Sequence, residues 1–220
     1  AKGLEQHSLK RQSEVLAEAA PGAIPFVLSG PSFATDVAAG RPTAVTLAGD
    51  DDAATEALAA ALAGPTFRPY AAGDRIGVEL AGALKNVYAL AAGAVEGAGL
   101  GASARAALIA RAFAELGRLL PALGGRAETL AGLAGLGDLT LSCTSGQSRN
   151  YRHGMALGRG ERGPEGLAEG VFTAPVAPSL ARGAGVEAPL IEAVNLLLTG
   201  SVTIASIVAG LMARPLRRET

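Results

Sequence analysis

Cysteine is almost absent from these 220 residues. Cys143 stands alone, so no disulfide can form within the chain, and a reducing, cytoplasmic setting is expected. Histidine is nearly as scarce. His7 and His153 are the only two; with one cysteine they cannot make a zinc site of the usual kind, and neither sits beside a nucleophile signature. Excess charge is missing too: 19 Lys and Arg against 20 Asp and Glu give a formal net charge of -1. Without a basic run or a stacking pattern of aromatics, no nucleic-acid partner is expected. The N-terminus carries neither the apolar core nor the small-residue cleavage site of a signal peptide. The apolar stretches do not reach the roughly 18 uninterrupted residues that a membrane span needs. The two longest are 80–94, interrupted by Lys85 and Asn86, and 202–213. No membrane insertion is expected.

What is present suits a folded protein. Hydrophobic residues are 49% and charged residues 18%, which argues against disorder. The length allows one large or two modest domains. Residues 4–19 have the pattern of a helix. Apolar runs at 24–28, 43–47 and 66–70 read as strands, with an Ala-rich helix at 53–63 capped by Asp50 or Asp51. This alternation predicts α/β packing. From Asp74 onward strand patterns nearly vanish. Helices are predicted at 75–95, 103–120, 147–158, 172–183, 187–198 and 202–213, and the boundary is placed near 71–73.

Lys85 is the most informative residue. Only Lys2, Lys10 and Lys85 are lysine, so arginine supplies the ordinary basic surface. The helical neighbours of Lys85 are Ala81, Gly82, Tyr88 and Ala89. An ammonium held against such a face loses hydration, which lowers its pKa toward a range useful for proton transfer. The plainer reading is a lysine that snorkels to the surface.

Three further clusters could bind a ligand. Ser148-Arg149-Asn150 opens a helix after a loop at 142–146; free N–H groups and a guanidinium fork there suit phosphate, although a simple helix cap would look the same. Gly135-Leu136-Gly137-Asp138 reads as a glycine loop that a ligand can approach, with Asp138 orienting an ammonium or hydroxyl, or as a turn with a capping aspartate. The segment 29–34, Ser-Gly-Pro-Ser-Phe-Ala, follows a strand at the edge where α/β sheets bind ligands, or is a plain turn. Arg105, Arg111, Glu115 and Arg118 read as a solvated, ion-paired helix face. His153 is placed at the surface and Cys143 in a structural role.

Together these segments resemble the bacterial NAD(P)-dependent glycerol-3-phosphate dehydrogenases. The resemblance runs from Lys2 to about Pro189. It is carried by Ala1-Lys2-Gly3-Leu4-Glu5, the SGPSFA segment at 29–34, GALKN at 82–86, GLGDL at 135–139, QSRN at 147–150, and AEG with Thr173 at 168–173. It implies that residues 1–73 are the α/β C-terminal remnant of a Rossmann-type dinucleotide-binding domain, followed by an all-α helical substrate domain at 74–220. It implies Lys85 as general acid/base and Asp138 as the substrate-site aspartate, both catalytic and both contacting substrate, in the interconversion of dihydroxyacetone phosphate and sn-glycerol 3-phosphate. Lys2, Gly30, Ser32, Ser148, Arg149 and Asn150 then contact substrate. Lys2, Ala34, Arg149, Leu167 and Glu169 then contact NAD or NADP. A homodimer and a place upstream of glycerophospholipid synthesis are implied as well.

The sequence departs from the family pattern in four places. Ser103 stands where asparagine is usual, Ala110-Arg111 replaces a threonine-arginine pair, the 160–169 loop is short, and Leu167 is a weak match. No G-x-G-x-x-G follows a strand and no acidic ribose partner follows one. The chain therefore reads as lacking about a hundred residues of nucleotide-binding half, and weak NAD(P)H binding by the 220 residues is expected. Two other readings stay open: a related β-hydroxyacid dehydrogenase, and a noncatalytic helical dimerisation module.

Overall fold

A computed structural model describes residues 2–213. Ala1, which opens the first marker segment, and residues 214–220, the end of the expected second domain, lie outside the described residues. Residues 4–11 do not join the first helix as expected. The Glu5 carboxylate accepts the Ser8 hydroxyl at 2.6 Å and the N–H groups of Ser8 and His7 at 2.5 and 3.0 Å, and those bonds pull its pKa down to about 2. Such local side-chain bonds compete with a helix. Leu9 then turns into the left-handed region at φ 61°, Leu4 bridges to Arg11, and helix α1 spans only Gln12–Ala19.

Three strands follow. β1 (Val27–Ser29) runs antiparallel to β2 (Thr43–Ala48), and β2 runs parallel to β3 (Phe67–Ala72), in the order β1-β2-β3. A short helix, α2 (Ala34–Ala38), lies between β1 and β2. Helix α3 (Asp52–Leu62) joins β2 to β3, and Asp51 caps it by accepting the N–H of Ala54 at 2.9 Å. β2 is central, so Val45, Leu47 and Ala48 are buried. Gly30, just after β1, takes φ 145°, and a Cβ there would stand 2.9 Å from the Cα of Val45. Only glycine lets the chain turn this close to the sheet.

The helical portion is built around α4 (Arg75–Gly97). Asp74 caps it, accepting the N–H groups of Gly77 and Arg126 at 2.9 and 2.8 Å and the hydroxyl of Thr129. Every residue from Gly77 to Val95 is buried. By length and hydropathy alone α4 could cross a membrane, but its whole apolar window is covered by protein. Around it pack α5 (Ala102–Ala122), a 3-10 turn at Ala127–Ala131, a π-helical turn at Leu133–Gly137, α6 (Asp138–Thr144) and α7 (Arg149–Gly158). The chain continues as α8 (Glu169–Thr173), α9 (Ala177–Gly183), α10 (Pro189–Leu198) and α11 (Ile204–Met212). A Cβ at Gly154 would overlap the carbonyl oxygen of Leu90, and one at Gly93 that of Tyr151. Small residues on both helices let α4 and α7 touch backbone to backbone.

Four expectations change here. The helix expected at 172–183 divides into α8 and α9. The glycine loop before Asp138 is a π-helical turn, and a Cβ at Gly135 would overlap the carbonyl oxygen of Leu130; this glycine serves packing, not ligand approach. The loop expected at 142–146 starts later, because Ser142 to Thr144 belong to α6. Glu115 is not solvated: it is 1% exposed. Its carboxylate accepts the N–H groups of Leu190 and Ile191 at 3.0 and 3.1 Å and the hydroxyl of Tyr88 at 3.0 Å. It thus satisfies the otherwise open start of α10, while burial raises its pKa above the ordinary 4.5 against the pull of those bonds.

Candidate active site

Lys85 sits midway along α4, 8% exposed, with Ala81, Tyr88 and Ala89 buried around it. Its ammonium donates to Asp138 Oδ1 at 2.9 Å and to Ser142 Oγ at 2.6 Å. Both acceptors project from the first turns of α6, four residues apart and so on one face. Burial pulls the Lys85 pKa below 10.5; the Asp138 charge opposes that shift, and the Lys2 charge adds to it. Asp138 is 2% exposed. Its second oxygen pairs with the Lys2 ammonium, which also reaches the carbonyl oxygen of Gly30 at 3.4 Å. Ser32 Oγ donates to that same carbonyl at 3.2 Å.

One carboxylate therefore answers two ammonium groups. The cluster of Lys2, Lys85 and Asp138 keeps a formal surplus of one positive charge, which favours an anionic ligand or a developing oxyanion. Lys2, Gly30 and Ser32 come from the sheet side, Lys85, Asp138 and Ser142 from the helical side. The two sides meet here and again where Thr35 of α2 donates to Gln147 Oε1 at 2.8 Å, just before α7.

The Ser148-Arg149-Asn150 cluster lies at the start of α7. Ser148 is the buried N-cap, accepting the N–H of Tyr151 at 3.2 Å. A helix start of this kind leaves its first N–H groups outside the ladder and presents a positive dipole end. Arg149 is exposed and pairs with Glu169 Oε1 at 2.5 Å. Asn150 is buried and donates to Asn86 Oδ1 at 2.9 Å. Asn86 follows Lys85, so this bond sets the α7 start beside the lysine. Among the expected cofactor contacts, Ala34 opens α2 at the surface, Glu169 opens α8, and Leu167 is exposed. His153 is half-buried against Gly163, and burial lowers its pKa. Cys143 is buried, with its thiol pushed up to about 12, which suits an inert packing role. Among the described residues no cluster of metal-ligating side chains occurs.

Ser142 and Asn86 were not singled out from the sequence. The signal for Ser142 was present: Leu139 and Cys143, four apart, mark an apolar helix face, and Asp138 and Ser142 follow the same spacing one residue earlier. Glu115 was also legible, because it falls on the buried stripe of Ala112, Leu116, Leu119 and Leu120.

Residues 74–209 match the family described as NAD-dependent glycerol-3-phosphate dehydrogenase C-terminus, and residues 1–55 match its N-terminus counterpart. The chain is 58% identical to glycerol-3-phosphate dehydrogenase [NAD(P)+] of Bradyrhizobium sp. (strain ORS 278), covering 100% of this chain and 67% of that protein. It is 56% identical to the enzyme of that name from Caulobacter vibrioides, over 99% and 68%. The crystal structure of glycerol-3-phosphate dehydrogenase from Coxiella burnetii superposes with a TM-score of 0.90 at 43% identity, covering 97% of this chain and 67% of that one.

Proposed function

The chain belongs to the NAD-dependent glycerol-3-phosphate dehydrogenase family, and from that premise we propose that it is the substrate-binding and catalytic portion of an NAD(P)-dependent enzyme interconverting dihydroxyacetone phosphate and sn-glycerol 3-phosphate. The observation that carries the mechanism is the buried Lys85 ammonium, 2.9 Å from Asp138 and 2.6 Å from Ser142. NAD(P)H, when bound, supplies the hydride that reduces the substrate carbonyl carbon. Lys85 gives its proton to the carbonyl oxygen as negative charge builds there, and takes one back from the hydroxyl in the reverse direction. Asp138 holds the ammonium in place, and Lys2 adds a second positive charge facing the same oxygen region. The start of α7 receives the phosphate through its N–H groups, including that of Asn150, with Ser148 and Arg149. An arriving phosphate competes with Glu169 for the Arg149 guanidinium.

Gly30 and Ser32 shape the wall opposite Lys85. The exposed Ala34 and Leu167 and the part-buried Glu169 would contact the cofactor, with Lys2 and Arg149. Action in the cytoplasm, as a homodimer, and upstream of glycerophospholipid synthesis belongs to the same proposal. The lone, buried Cys143 suits the first of these.

In the full-length protein, Lys85→Ala is expected to lower kcat for dihydroxyacetone phosphate reduction by about 100-fold or more. Reduction needs the protonated lysine, so the wild-type rate should fall with rising pH along a limb centred below 10.5, the direction in which burial moves Lys85. A variant with near-normal turnover and an unchanged basic limb would remove Lys85 from the mechanism.

A further inference from the structure

The π-helical turn at Leu133–Gly137 runs straight into α6, which opens on Asp138. Gly137 donates its N–H to the carbonyl oxygen of Gly132 at 3.2 Å, and Asp138 donates its own to that of Leu133. Both bonds reach back five residues where an α turn reaches back four. The turn is pinned at both ends. Upstream, Ala134 is buried with Ala48 of β2 and Val78 of α4. Gly135 lies on the backbone of Leu130, where a Cβ would stand 2.2 Å from the carbonyl oxygen. Downstream, Leu139 and Cys143 are fully buried in the main core.

The surplus residue decides which side chains face Lys85. Each residue turns an α-helix by about 100°, so the extra one swings α6 about its axis by roughly that much relative to Ala134. Closed as an α turn on the same upstream anchor, the segment would bring Gly137 and Leu141 to the places that Asp138 and Ser142 hold. Neither has a side chain that can accept from an ammonium. Asp138 would move to the place of Leu139 in the apolar core, where a carboxylate without partners is costly. Gly135 is what lets the wide turn close, because a side chain there would meet fixed backbone rather than a side chain that could swing aside.

Resting on the dehydrogenase reading above, we propose that the π-helical turn, with Gly135 at its centre, is the positioning device that keeps the Asp138 carboxylate and the Ser142 hydroxyl on the Lys85 ammonium. Gly135 acts through Asp138 and is a positioning residue, not a catalytic one. Forcing the turn open withdraws the carboxylate from Lys85 while the lysine stays buried in α4.

The test measures the pH profile of dihydroxyacetone phosphate reduction by full-length wild type, Gly135→Ala, Asp138→Asn and the Gly135→Ala/Asp138→Asn double variant. Wild-type activity checks the dehydrogenase reading separately; its absence would sink that reading before the variants are compared. Gly135→Ala should lose about ten- to a hundredfold in kcat, the size expected of a small misplacement. The titratable groups around Lys85 are Asp138, Lys2 and the Cys143 thiol, and the thiol stays neutral with its pKa at about 12. Asp138 opposes the lowering by burial, so its withdrawal should move the basic limb to lower pH. A merely loosened core would do the opposite, since water reaching Lys85 would move the limb up toward 10.5. Asp138→Asn should show the same downward move, and the double variant should be little worse than the worse single one. If Gly135→Ala folds poorly, one alanine inserted after Leu136, which is 44% exposed, shifts the register from the surface side and should show the same loss and the same move. An unchanged kcat with an unmoved limb in either folded variant would overturn the proposal. So would a limb that rises, or strict additivity with Asp138→Asn.

Discussion

Up to Ala72 the chain buries chiefly one strand, β2, and leaves Leu28, Leu62 and Tyr70 exposed around it; beyond Arg75 it buries nearly the whole of α4 and wraps helices around it. The two portions place functional groups with different tools. On the helical side, Lys85 and Asp138 are held by packing on every side and by complementary charge. On the sheet side, Lys2 and Ser32 are part-buried and meet through the carbonyl of Gly30 in a turn. In the proposed reaction, the group that gives and takes the proton sits where water is excluded, and the sheet-side groups proposed to meet ligand sit where the backbone turns.

The sharpest way to break this contrast is to disturb the contact between α4 and α7. Gly154→Val forces side-chain carbon into the carbonyl of Leu90. It should cost about 3 kcal/mol, the upper end for overpacking, and lower Tm by roughly 6–12 °C. Thermal unfolding followed by circular dichroism checks it, and an unchanged Tm would show that the helices have room to part. Glu115→Gln comes next. It replaces one acceptor oxygen by a donor opposite two backbone N–H groups and the Tyr88 hydroxyl, and should destabilise by about 2 kcal/mol. The raised pKa of Glu115 adds a pH sign. The folded state holds its proton more tightly than the unfolded one, so wild-type stability should decline as pH climbs from 4.5 through the folded value. That slope should be absent from the Gln variant in denaturant titrations across this range. The smallest effect is expected in the sheet portion: Tyr70→Ser, at a side chain 60% exposed, should change the stability of the 220-residue chain by less than about 0.5 kcal/mol. A loss as large as that of Glu115→Gln would erase the distinction between the two portions.

Much of this was legible beforehand, for reasons visible at particular residues. The strands and the long helices follow from β-branched runs and from apolar spacing. Lys85 stood out because the chain uses lysine so sparingly and surrounds this one with small apolar neighbours. The failures share a cause: short segments whose side chains bond to the backbone. Glu5 keeps its segment out of α1 by binding the N–H groups of His7 and Ser8. The π-helical turn before Asp138 looks like a glycine loop because both need small residues. Glu115 looked solvated because its partners, Leu190 and Ile191, lie some 75 residues away in the chain.

Composition and pattern alone determined a sheet portion followed by a helical one, a chain with no disulfide of its own, and a lysine set in an apolar helix. Those properties are local, since hydrophobic period and residue type act over one or two turns. The tertiary structure decided what surrounds that lysine: Asp138 and Ser142 from α6, Lys2 of the N-terminal segment on the other oxygen of Asp138, and Asn150 locking the next residue to α7. Contacts between distant segments depend on how close two backbones can come. Here that distance was set by glycines on α4, α7 and α8, whose missing side chains have meaning only once the helices are packed.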